Sequence, residues 1–215
     1  MLKLMTGGAK QRILLCILLT SSVCPTVIAD ALSGETGIRD GYFFAEEIGW
    51  RMPVPEGWEV MGAEKIEALQ DRGQEALSET LGAEIDPQGL KQLLNLQKAE
   101  PNNFQSTIEP FAENYEGEWH DNNAALRELL IDTYTNAGLG VEVSDTVQEV
   151  IGGVTFEYME FRLLAPDGSE LLRQAMYSSL INGFDFGASA SYNDAELGAE
   201  LLRAWKASTF TGVQE

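Results

Sequence analysis

The chain is poor in positive charge, histidine and cysteine: 14 Lys and Arg stand against 34 Asp and Glu, with one His and two Cys in 215 residues. Each shortage excludes something. A formal net charge of −20 repels phosphate backbones and anionic lipid headgroups, so nucleic acid is not an expected partner. With His120 as the one imidazole and no Gly-x-Ser-x-Gly elbow, a serine-hydrolase triad has no base to build on. There is no Walker-type phosphate loop and no His-Glu-x-x-His helix. Carboxylates are plentiful, but no two are marked out as a glycosidase pair. A carboxylate-based hydrolase therefore ranks last among the readings, and the chain is expected to be a non-enzyme with no cofactor.

Long hydrophobic runs are also missing, apart from residues 13–23. Lys3, Lys10 and Arg12 precede that run, and Val27-Ile28-Ala29 follows it with the small residue a signal peptidase needs. This is the secretory pattern, too short for a comfortable membrane span. Residues 1–29 are expected to be removed as a signal peptide, with Ala31 as the second cleavage site. Lipid attachment at Cys24 ranks lower, because Val23 and Ser21 stand where such a signal wants a small residue and a leucine. Cys16 and Cys24 leave with the signal. The mature chain then has no disulfide, no thiol nucleophile and no thiolate metal site. It is exported, periplasmic or secreted, with no membrane span after cleavage. Losing three positive charges and no negative ones takes its net charge to −23.

What is present is a clear β signal in residues 139–192. Ile151-Gly152-Gly153-Val154 and Ile181-Asn182-Gly183-Phe184 are two-residue hairpin connections of the primed type. Ala165-Pro166-Asp167-Gly168 between them fits a type I turn closed by a left-handed glycine. Four strands in an antiparallel meander follow. The Asn182-Gly183 turn sets Ile181, Ser179, Tyr177 and Ala175 opposite Phe184, Phe186, Ala188 and Ala190, all on one mostly apolar face. The other face is small and polar, around Ser178, Gly187 and Ser189. In the second strand the apolar parity switches between Tyr158 and Phe161, which predicts a β-bulge near Met159-Glu160 or burial of both faces there.

Around the meander, residues 30–40 read as a flexible leader and residues 41–212 as one domain. A strand at Tyr42-Phe43-Phe44 is interrupted by Glu46-Glu47 and resumes at Ile48. Trp50 and Trp58 read as core or edge aromatics rather than a ligand-stacking pair. Residues 62–81 have helical periodicity with Gly82 as C-cap. Asp86-Pro87 opens a second short helix with Leu90, Leu93 and Leu94 on one face, ending before Pro101. Residues 104–111 read as an edge-like strand. Asp121 caps a helix that Gly138 stops. Asn193 or Asp194 caps the last helix, whose Leu201 and Trp205 pack across Ala188 and Ala190, and Thr209-Phe210 adds a terminal strand. The expected class is α+β.

The opening Gly49-Trp50-Arg51-Met52-Pro53-Val54-Pro55-Glu56-Gly57-Trp58, the Asn102-Asn103-Phe104 triplet, and Tyr192-Asn193-Asp194 leading into a helix that ends at Ser208-Thr209-Phe210 resemble one known group. It comprises the photosystem II extrinsic protein PsbP, the Ran-binding Mog-type factors and the bacterial DcrB-like lipoproteins. The resemblance implies a PsbP-like α/β/α sandwich, a central antiparallel sheet with helices on both faces. Members of the group act as assembly factors, adaptors or partner-binding domains without a common catalytic residue, so function does not transfer with the fold.

Two features are candidate sites. In the acidic loop before the third helix, Glu116, Glu118, His120 and Asp121, with Glu113 nearby, offer hard oxygen ligands and one imidazole to a metal. The spacing is not that of an EF-hand. The small polar face at Ser178, Gly187 and Ser189 is the candidate partner face. The preferred function is an exported envelope interaction domain that binds a protein, plausibly a basic one, in an assembly, adaptor or inhibitor/immunity role. The alternative is a small-ligand or metal-binding envelope accessory protein. Oligomeric state is not legible.

Overall fold

The computed structural model describes residues 36–83 and 89–213. The signal pattern, both cysteines and Asp86-Pro87 lie outside them. Among the described residues, two antiparallel sheets, three α-helices and a short 3-10 turn at Glu46–Ile48 make up the fold. The smaller sheet orders β1 (Thr36–Arg39), β2 (Tyr42–Ala45), β3 (Trp50–Pro53) and β12 (Thr209–Phe210) side by side. The larger runs β4 (Glu59–Val60), β5 (Lys91–Gln97), β6 (Asn103–Pro110), β11 (Phe184–Tyr192), β10 (Glu170–Ile181), β9 (Val154–Leu164) and β7 (Gly140–Val143), with β8 (Val147–Ile151) also on β9. The helices are α1 (Ala63–Leu81), α2 (Glu118–Asn136) and α3 (Ala195–Lys206).

The β10–β11 register is the one the turn demanded: Ile181 faces Phe184, and Ala175 faces Ala190. Asn182 and Gly183 have φ of 52° and 79°, and Gly152 and Gly153 have 59° and 88°, as primed turns require. The front face of the large sheet meets α3 and the small sheet. Phe104, Phe156, Tyr177, Phe186, Ala188 and Ala190 pack there with Trp50, Leu201 and Trp205. Trp205 sits 5.3 Å from Phe156 and 5.4 Å from Tyr177 between ring centroids. Asp194 caps α3 by accepting from the amides of Glu196 and Leu197 at 2.8 and 3.0 Å. Trp50 and Trp58 are both buried core residues.

Six expectations need correction. Strand structure is already present at Thr36–Arg39, before Gly41. Asp40-Gly41, both at positive φ, closes a β1–β2 hairpin that gives Thr36–Arg39 a pairing partner. The second short helix is strand β5. Leu94 and Leu96 point to the front core, and Pro101 lies in the connection to β6 rather than after a helix. Strand β6 is interior, not an edge, flanked by β5 and β11. Asp121 does not cap α2. That helix starts at Glu118 after Gly117, and the free amide of Trp119 is taken by the Glu113 carboxylate at 3.0 Å. The first meander strand is broken into β7 and β8, which lie end to end on one edge of β9, so the meander stays four strands across. The predicted irregularity falls on their side: β9 runs unbroken against β10 through Met159 and Glu160. The register against β9 slips by one between Val143↔Phe161 and Val147↔Tyr158. Ser144 fills the break, donating its amide to Glu160 O at 2.9 Å and accepting from the Glu160 amide on Oγ. The parity switch has the other predicted cause as well. Phe156 is buried in the front core, while Met159, Phe161 and Leu163 are buried in a second core on the back.

That back core is formed with α2 (Leu126, Leu129, Leu130, Tyr134), Leu77 of α1, and Leu172 and Met176 of β10. The sixth correction concerns the partner face. Ser178, Gly187 and Ser189 are buried, because they lie on the back face beneath the helices. No partner reaches them without displacing a helix.

Candidate functional site

The α2 N-terminus is where the acidic loop and the sheet's back face meet. Three polar contacts seat the helix. Trp119 donates its indole N–H to Asp185 at 2.9 Å. His120 Nδ1 lies 2.6 Å from a Glu157 oxygen. Ser178 donates to the side-chain oxygen of Asn123 at 2.9 Å. Further along, Tyr134 donates to Gln174 at 2.7 Å, and Gln174 in turn to Ser189 at 3.3 Å. The candidate partner face is thus a set of buried hydrogen-bonding groups matched by α2.

The four candidate metal ligands do not come together. Glu118 is turned back into its own loop and accepts from the amide and side chain of Asn114. His120 reaches the sheet at Glu157, and Asp121 accepts from the Tyr115 hydroxyl at 3.0 Å. Glu116 is exposed. The reason is helical: positions 118 and 120 are about 200° apart around the axis, so their side chains diverge. Among the described residues no three His, Cys, Asp or Glu side chains are placed to hold a metal. Tyr115 is raised above the ordinary phenol range, first by its hydrogen bond to Asp121 and then by the other carboxylates around it.

What the corner offers is surface. Glu113, Glu116 and Asp121 are solvent-facing, and among the described residues no lysine or arginine pairs with them. Beside them, the back face runs out from under α2. Val150 pairs with Thr155, and Leu180 with Asp185. Val150 is 67% exposed and Leu180 40%. The two lie in one row of the sheet with the exposed Thr155 between them, an uncovered ledge of two aliphatic side chains and a hydroxyl. Sequence reading missed the ledge because Leu180 and Val150 belong to strands whose cover ends at a helix terminus.

The elements that make this corner define a PsbP-like α+β fold. Among solved structures, the chain is similar to cyanobacterial PsbP (CyanoP) from Synechocystis sp. PCC 6803, at 10% identity and a TM-score of 0.53, covering 84% of this chain and 98% of that one. It is also similar to LpqN, involved in cell envelope biogenesis of Mycobacterium tuberculosis, at 15% identity and a TM-score of 0.43, over 75% and 83% of the two chains. At these identities the likeness concerns fold alone, and it does not reach the DcrB-like part of the resemblance. No protein-family model matches the sequence, and no curated protein does. Among the described residues no helix is long and apolar enough to cross a membrane.

Proposed function

We propose that this is an exported, non-catalytic protein of the cell envelope that holds a basic protein partner against the acidic corner at the start of α2. The observation that carries this reading is the set Glu113, Glu116 and Asp121, exposed and, among the described residues, without a paired lysine or arginine, on the side of the sheet where Val150 and Leu180 are left bare. A partner segment with lysines or arginines flanking an aliphatic residue fits it. Charge brings such a partner in, and burial of the aliphatic side chain against the ledge holds it. The secretory pattern and a net charge of −20 support the location and the sign of the partner.

The test is crosslinking of the tagged protein in its native envelope, beside a variant carrying Glu113→Lys, Glu116→Lys and Asp121→Lys. The expected result is a basic protein captured by the wild type, lost in the variant, and weakened by salt as the Debye length falls below about 8 Å. Identical capture by both proteins, or capture indifferent to salt, contradicts the assignment.

A further inference from the structure

Most lysines and arginines among the described residues lie against a carboxylate, from Lys65 on Glu100 to Lys206 on Glu149. Arg39 and Arg51 do not. Among the described residues no carboxylate pairs with either, and each guanidinium lies over aromatic rings instead. In a chain with 34 Asp and Glu against 14 Lys and Arg, two arginines left together in this way break the pattern.

Both belong to the small sheet. Phe43, Ala45, Trp50 and Met52 point into the front core, none more than 3% exposed. Side chains alternate along a strand, so the residues between them form the outer face. The register sets Gly37, Phe44, Arg51 and Thr209 in one row, and Arg39, Tyr42 and Pro53 in the next. No carboxylate stands in either row. Asp40 and Glu46 lie beyond opposite ends of β2, and Glu47 is taken by Lys91 and Thr36.

Across this face cations and rings alternate. The Arg51 guanidinium carbon is 3.7 Å from the Tyr42 ring centroid and 5.7 Å from that of Phe44. That of Arg39 is 4.1 Å from Phe44. These are diagonal neighbours between adjacent strands, within reach of long side chains. The rings are half-buried, and both arginines are exposed. Contact with a ring face attracts a guanidinium and restrains it, yet it leaves the N–H donors on the guanidinium edge free. A restrained guanidinium with free edge donors is suited to pairing a carboxylate in two parallel hydrogen bonds. The two positive charges repel each other, and nothing among the described residues neutralises them.

We propose that the outer face of the small sheet docks an acidic segment of a protein partner, with Arg39 and Arg51 each holding a carboxylate. Tyr42, Phe44 and Pro53 are the apolar bed for a side chain between the two acids. Charge complementarity selects this occupant. An anionic lipid surface presents its charge to the whole molecule, and a net charge of −20 repels it. A second copy brings the same net charge. A single segment meets only the two rows. The large sheet separates this face from the acidic corner, because the small sheet packs on its front and α2 on its back. The two sites can be filled together, and the failure of one does not decide the other.

The test is an amide-resolved NMR titration with the capped peptide Glu-Tyr-Glu-Glu-Tyr-Glu as probe. The proteins are the wild type, the double variants Arg39→Gln/Arg51→Gln and Arg39→Lys/Arg51→Lys, and Arg203→Gln as a control on α3. The peptide is expected to shift amides of β1, β2 and β3 selectively, and less so as salt is raised. The Gln pair should weaken binding at least about tenfold, as loss of charge-assisted hydrogen bonds would. The Lys pair should weaken it as well, since an ammonium keeps the charge but not the planar fork. Arg203→Gln should change nothing, and Tm should be kept in all. Four results overturn the proposal. The first is no shift in the small sheet. The second is equal weakening by Arg203→Gln, which means bulk charge only. The third is binding of phosphatidylglycerol vesicles, but not of the peptide, through Arg39 and Arg51, which means a membrane face. The last is self-association in sedimentation that the Gln pair abolishes while the peptide does not bind, which makes a second copy the occupant.

Discussion

The two faces of the large sheet use the same strands and exclude water to a similar degree, yet they are closed in different ways. On the front, six aromatic side chains from both sheets and α3 interlock around Trp205 and Trp50. Such a face gains from every buried ring, and its few polar groups are indole N–H: that of Trp50 donates to Ser208 at 3.0 Å, while those of Trp58 and Trp205 are buried without a partner. On the back, the helices lie partly on hydrophobes and partly on amides and hydroxyls, where burial helps only as far as each polar group is met. Stability belongs chiefly to the front.

The largest effect should come from the front. Trp205→Ala is expected to lower the unfolding free energy by about 3–5 kcal/mol, measured by denaturant unfolding. Gly198→Ala should cost less, about 1–3 kcal/mol. A β-carbon there would stand 2.3 Å from the Tyr192 ring, so α3 must lift from the sheet to admit it. On the back, Tyr134→Phe removes one buried hydrogen bond to Gln174 and should cost about 1 kcal/mol. A Tyr134→Phe loss as large as that of Trp205→Ala would erase the contrast between the faces.

The smallest effect at neutral pH, and one visible only in alkali, comes from the tyrosines. Burial, reinforced by Glu160, pushes Tyr158 up to about 12, and burial raises Tyr177 and Tyr192 as well. Raised folded values mean the neutral phenols favour the fold. That contribution is intact below the unfolded phenol value near 10 and is lost as pH rises toward about 12. Phenolate absorbance followed during alkaline titration should show these tyrosines ionising late and together with unfolding. Ionisation near the free value, with the fold intact, would contradict their burial.

Local chemistry explains which parts could be read from the chain. Turn residues are unambiguous: the register read from Asn182-Gly183, Ile181 opposite Phe184 through Ala175 opposite Ala190, is the one β10 and β11 adopt. The α3 cap and its packing residues were legible for the same reason. Asp40-Gly41 carried the same hairpin signal and was passed over because its flanks looked like a polar leader. The run Leu93-Leu94-Asn95-Leu96 was misread because a short apolar stretch fits a helix or a strand equally. Only the hairpin to β6 decides between them. The metal and partner candidates were chosen by residue type. Glu118 turns inward to the amide and side chain of Asn114 in its own loop, which residue type does not announce, and whether Ser189 lies under a helix depends on α2, far away in the chain. Legibility of the site was therefore limited to its ingredients: the acidic loop and the polar face were visible, and their meeting at α2 was not.

The most direct test of the contrast is native-state hydrogen exchange, comparing amides of α1 with those of α3. A helix held by few buried side chains, Leu69, Gly73 and Leu77 in α1, should open locally at a lower free energy than one locked into the aromatic core. The account predicts that α1 exchanges by local opening, well before the global transition, while α3 exchanges only with β10 and β11. Equal protection of α1 and α3, up to global unfolding, would contradict it.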